Sequence, residues 1–173
     1  MDTTASTFLY SLASISTTFV GFSALIMMVR QTLGDGLSDL EAWITRTFVQ
    51  LGFLVTAGAL TPPLLALCGY LDDLIWRLCS GIVGTIMLVF VLTYPTRRRA
   101  VSGKPAPAFV YLDLFLLLGP IAMLALNVIG RNLTDKPLRP SGGLYAAALT
   151  GVLFISGLGY LHALGALRRQ SGD

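Results

Sequence analysis

Charge is what this chain has least of. Asp, Glu, Lys and Arg make up 12% of its 173 residues, about half the usual share in a soluble domain, roughly 25%. Half the expected polar coat is missing while 54% of the residues are hydrophobic, so an ordinary soluble globule is excluded. Only lipid could take up that much apolar surface. One histidine and two cysteines leave no zinc constellation, no HExxH motif and no disulfide-dense secreted framework. No phosphate-cradling Walker loop occurs either. Lys or Arg is absent before Arg30, so the basic start of a signal peptide is lacking, and the first apolar run is expected to stay in the mature protein. No cofactor or metal is expected.

Basic residues outnumber acidic ones, 12 to 9, but they stand in short clusters between apolar runs. That is membrane-flanking charge, whereas a nucleic-acid surface would show a broad basic face with accessible aromatics. The expected partners are the lipid bilayer and a membrane protein, a second copy included, with no nucleic acid.

What the chain does have is long apolar runs. Crossing ~30 Å of hydrocarbon takes about 20 mostly apolar residues, and five segments qualify: 7–29, 43–70, 74–94, 109–129 and 144–167. Trp43, Tyr70, Trp76, Tyr94, Tyr111 and Tyr145 stand within a turn of these ends, where amphipathic rings prefer the headgroup level. Gly34-Asp35-Gly36, Asp72-Asp73, Lys104-Pro105-Ala106-Pro107 and residues 136–143 read as loops. Pro95 and the triplet Arg97-Arg98-Arg99 read as the stop of the third span. The runs are too long for the ~10-residue alternating strands of an outer-membrane barrel. The expectation is an all-α, five-span bundle forming one integral membrane domain over residues 1–173. Compactness and short loops suit a small multi-pass protein of the bacterial inner-membrane type.

Five spans put the termini on opposite sides. Arg30, Arg46, Arg97, Arg98, Arg99, Lys104, Arg168 and Arg169 gather on one side, and Arg77, Arg131, Lys136 and Arg139 on the other. The richer side belongs in the cytoplasm, which predicts N-terminus out and C-terminus in.

Polar and breaking residues within the runs supply the candidate sites. Thr7, Ser11, Ser14, Thr18 and Gly21 share one face of the first helix, suited to close helix packing or to lining a hydrated path. Ala148, Val152, Ser156, Gly159, Ala163 and Ala166 make a similar face on the fifth, and the two faces are expected to meet each other or a second subunit. Pro62-Pro63 and Gly119-Pro120 are expected to break the second and fourth helices, freeing the carbonyls of Gly58, Ala59 and Leu116, with Thr61 partly re-satisfying the first break. Such breaks serve as transporter sites or as plain kinks.

Arg46, Gln50, Asp113 and His162 fall at similar depth towards one side. Ionisable groups within spans tend to pair or to serve function. An Arg46–Asp113 ion pair with His162 beside it is the expected arrangement, read either as an ion- or proton-sensitive mouth or as a structural salt bridge with Arg46 snorkelling. Asn127 is expected to bond between helices. Cys68 and Cys79 flank the Asp72-Asp73 turn, where an aspartate is expected to cap the third helix, at a spacing open to a disulfide.

Two enzyme motifs fail on inspection. Gly21-Phe22-Ser23-Ala24 faintly resembles the serine motif of rhomboid-type proteases, but Leu25 stands where a second glycine would be sought and the serine is on the first span rather than a late one. Leu138-Arg139-Pro140-Ser141-Gly142 lacks the lysine and histidine of the lipid phosphatases. The leading expectation is a channel- or transporter-like protein without enzymatic activity. The alternatives are a non-catalytic membrane subunit, or an intramembrane enzyme using Asp113 or His162 on lipid or peptide.

Overall fold

The computed structural model describes residues 3–32, 38–103, 105–129 and 141–170, and their regular structure is helical throughout. The helices are α1 (Thr3–Thr32), α2 (Asp39–Leu67), α3 (Asp72–Ser102), α4 (Ala108–Ile129) and α5 (Gly142–Gln170). All five are long and apolar enough to cross a membrane; even α4, the shortest, reaches about 33 Å at 1.5 Å per residue. The expected loops Gly34-Asp35-Gly36, Lys104 and 131–140, with Arg131, Lys136 and Arg139, lie outside the described residues.

Local chemistry accounts for the helix ends. At the start of α2, Ser38 and Glu41 form a reciprocal cap: the Glu41 amide donates to Ser38 Oγ at 3.3 Å and the Ser38 amide to Glu41 Oε2 at 3.0 Å. α2 stops at Leu67 rather than at Tyr70, because the chain turns at Gly69 with φ of 82°, a conformation glycine adopts without steric cost. The N-cap of α3 is Leu71, without a side-chain cap. The expected aspartate cap is therefore corrected: Asp72 and Asp73 sit in the first turn, where carboxylates favour the positive end of the helix dipole.

α3 also runs through Pro95, the expected stop, to Ser102. Proline removes only the amide that would serve the Val91 carbonyl and keeps a helical φ. The hydroxyls on either side bond back to their own helix, Thr93 to the Val89 carbonyl at 2.8 Å and Thr96 to that of Thr93 at 2.7 Å. The arginine triplet is thereby wound into the helix.

Contacting pairs run in opposite senses along neighbouring helices: Gly58 meets Tyr145 while Phe48 meets Tyr160, and Ser80 meets Asn127 while Gly84 lies against Leu124. Helices therefore alternate in direction, and the start of α2, the end of α3, the start of α4 and the end of α5 share one end of the bundle. α2 packs against α1, α3 and α5.

The proline positions are not breaks. α2 continues through Pro62 and Pro63, and α4 through Gly119 and Pro120. The Gly58 carbonyl, deprived of its helical donor by Pro62, accepts a 2.8 Å hydrogen bond from the Tyr145 hydroxyl of α5. Thr61 turns instead to the Ala57 carbonyl at 2.7 Å. Pro120 seats against Gly151, where a Cβ would stand 3.0 Å from the proline ring, while a Cβ on the exposed Gly119 would meet nothing within 4 Å.

The small-residue face of α1 is turned away from the bundle, so it does not meet the α5 face, one of its two expected partners. Ser11, Ser14, Thr18 and Gly21 are exposed, and α1 packs on α2 through Leu9, Ala13, Ser16, Val20 and Ser23. Gly52 decides between the two faces: any Cβ there would collide with Val20, and Ser16 Oγ donates to the Gly52 carbonyl at 2.8 Å. The outward hydroxyls of Ser11 and Thr18 donate to their own helix, to Thr7 at 3.0 Å and Ser14 at 2.9 Å, so they can face an apolar medium without an unpaired group. On α5, Ala148 and Val152 are buried and Gly159 lies against Asp113 of α4, so this part of the face packs inside the bundle rather than on the α1 stripe; the side chains of Ala163 and Ala166 lie outside the described residues.

Candidate functional site

The two ends of the bundle differ. At the end where α4 finishes and α5 begins, Asn127 is 2% exposed and joins three segments. Its Nδ2 donates to Ser80 Oγ at 2.8 Å, and its Oδ1 accepts from the Ser141 amide at 2.8 Å. Ser141 in turn accepts at Oγ from the Leu144 amide at 3.2 Å, capping α5. The expected interhelical role of Asn127 holds. The Trp76 ring lies 5.8 Å from that of Tyr145, and Gly142 abuts Trp76 so closely that a Cβ would stand 2.7 Å from it. Tyr145, placed at the headgroup level by the sequence reading, is fully buried.

At the other end the helices part around a cavity of about 70 Å³ between α2, α3, α4 and α5. Its walls are mainly apolar, with Phe48 and Leu51 from α2, Phe90 from α3 and Leu117 from α4. Thr47, Arg98, Asp113 and Ser156 bring polar groups from all four helices. Aromatic pairs frame it: Trp43–Tyr94 with centroids 5.1 Å apart, Phe90–Tyr94 at 5.4 Å and Phe48–Tyr160 at 4.7 Å.

Arg98 dominates the site. Arg97 and Arg99 are exposed, as flanking charge should be, but Arg98 is 7% exposed, and its Nε and Nη1 have no hydrogen-bond partner. The reason is periodicity. Trp76, Ser80, Val83, Met87, Phe90 and Tyr94 form the inner face of α3, and a helix that continues past Pro95 brings Arg98 onto the same face. The signal was in the sequence, hidden by taking Pro95 as a terminus.

Asp113 also reaches the cavity, but not as expected. Its Oδ1 lies 3.7 Å from His162 Nδ1, the carboxylate being 15% and the imidazole 53% exposed. A Cβ on Gly159 would stand 3.2 Å from Oδ2, so glycine gives the carboxylate its room. Arg46 takes no part, which corrects the expected Arg46–Asp113 pair. With Ile44, Thr47, Phe48 and Leu51 turned inward, helical geometry sends Arg46 and Gln50 to the outer face, and both are exposed. Cys68 and Cys79 are both free: Cys68 follows the last residue of α2 and is exposed, whereas Cys79 is buried on the core face of α3.

Among the described residues no group of three or more His, Cys, Asp or Glu side chains is placed to hold a metal ion. The chemistry on offer is recognition. A guanidinium presents donors only and stays charged at any physiological pH, and here two of its nitrogens are buried without a partner in a side chain that lines an apolar-walled cavity. No protein-family model, curated protein or solved structure matches the chain.

Proposed function

We propose that the chain is a multi-pass membrane protein of carrier-like build, which takes a small molecule into the cavity at the Arg98 end and holds the opposite end shut. The contrast between the two ends carries this reading: polar groups from four helices converge on a void at one, and Asn127, Ser80, Trp76 and Tyr145 fill the other. A channel would need water to pass the layer between them. There Val55, Met87, Leu124 and Leu149 are each 0% exposed, which favours binding over free conduction. The positive-inside count turns the cavity to the cytoplasm, with the N-terminus out, the C-terminus in and the protein in a cell membrane of the bacterial inner type.

Sidedness tests this. Ser156→Cys, in a background with Cys68→Ser and Cys79→Ala, places one thiol on the cavity wall. A membrane-impermeant maleimide should label it from the cytoplasmic face of vesicles and not from the other. Labelling from both faces would mean a pore; labelling from neither would remove the cavity.

Self-association is part of the same proposal. The outward face of α1 carries a shallow groove lined by Ser14, Ile15, Thr18, Phe19 and Phe22, and close packing of small residues is a common basis of helix contact in lipid. Ser14→Cys should cross-link between copies in native membranes; a chain that stays monomeric there counts against the pairing.

A further inference from the structure

We propose that the cavity is an oxyanion site: its ligand presents a carboxylate or phosphate to Arg98, joined to a short apolar body lying along Phe48, Phe90 and Leu117. This rests on the binding reading above and adds the class of the ligand.

Arg98 carries the argument. It is 7% exposed, with Nε and Nη1 unpartnered. A buried lysine can shed its proton and with it the cost of burial, but arginine cannot. The cost of an unmatched buried charge is several kcal/mol, and buried polar groups in folded proteins are nearly always satisfied by protein, water or ligand. Among the described residues the cavity wall supplies one carboxylate, Asp113, and it is engaged elsewhere: Oδ1 faces His162 at 3.7 Å and Oδ2 lies over Gly159. The guanidinium therefore lines the cavity with two buried donors unpaired and, among the described residues, no counter-ion in contact.

The apolar body follows from how the walls are ordered. Arg98 stands eight residues beyond Phe90 on α3, about 12 Å along the axis, so the charge sits at the outer end. Phe90, Leu51 and Leu117 line the inner part. A bare inorganic ion would satisfy Arg98 and leave that wall empty. About 70 Å³ holds roughly five water-sized atoms, enough for a short-chain acid or for the acidic head of a lipid, but not for a whole acyl tail.

The test uses the full chain in an uncharged detergent and in lipid nanodiscs, read by thermal unfolding. Butanoate should raise Tm saturably, with butan-1-ol about tenfold weaker or worse, the usual worth of a charge-assisted hydrogen bond. Arg98→Gln should abolish the shift, and Arg97→Gln, at an exposed neighbour, should keep it. A shift with phosphatidic acid nanodiscs but not with butanoate would assign the oxyanion to a lipid head; the reverse would assign it to a soluble acid. Equal shifts from butanoate and butan-1-ol, or a shift that survives Arg98→Gln, would overturn the assignment.

Arg98→Met guards against a mere folding role. Without ligand it should melt at or above the wild-type Tm, since an uncompensated charge has been removed; a lower Tm would make Arg98 structural and overturn the proposal. Butanoate should also slow maleimide labelling of Ser156→Cys. If that thiol is labelled but the anions are inert, the oxyanion class alone fails; if it is never labelled, the binding reading fails with it.

Discussion

Tyr145 shows how one side chain converts a helix interruption into a joint. Pro62 takes the helical donor from the Gly58 carbonyl, and the phenol replaces it from another helix. Tyr145→Phe strands that carbonyl in the core and should cost about 1–3 kcal/mol of stability. In a Pro62→Ala background the restored amide can serve the carbonyl again, so the same substitution should cost much less. Strict additivity of the two changes in thermal unfolding would sink the joint. The cysteines make a second residue-scale test: in unreduced folded protein Cys68 should alkylate and Cys79 only on unfolding, with no mass gained by reduction. The proline, the frustrated carbonyl and the interhelical role of Asn127 were legible in the sequence. The partner of the carbonyl was not, because a tyrosine near a span end reads as a headgroup anchor and only the fold turns it inward.

At the scale of the element, the five long apolar helices were legible and their contacting faces were not. Apolar length alone predicts a membrane helix, whereas α1 offers two faces with small residues, and the choice between them is made by Gly52 on α2. Gly52→Ala should destabilise by about 1–3 kcal/mol through overpacking against Val20. Gly21→Ala, with nothing near it, should be neutral or stabilise by up to about 1 kcal/mol through helix propensity. Signs the other way round would put the opposite face of α1 against the bundle. The same limit explains Arg46 and Arg98. Depth is read from residue number, but the direction a side chain points depends on where the helix really ends, and α3 ends two turns later than Pro95 suggests.

At the scale of the molecule, the bundle has a sense of direction in two respects. The arginine-rich end should face the cytoplasm, so a fusion after Asp173 should work as a cytoplasmic reporter and fail as a periplasm-dependent one; the opposite result would turn the cavity outwards. The second respect is mechanical. Asn127 ties α3, α4 and the first residue before α5 at one end, while the far ends of these helices meet around empty space. Such a body is built like tongs, with Asn127 at the fulcrum. From there to Val110 is about 25 Å of helix, so a splay of about 5° moves the jaws by roughly 2 Å. A movement of that size at the open end is most of a hydrogen-bond length, whereas the hydrogen bonds at the fulcrum would hardly change.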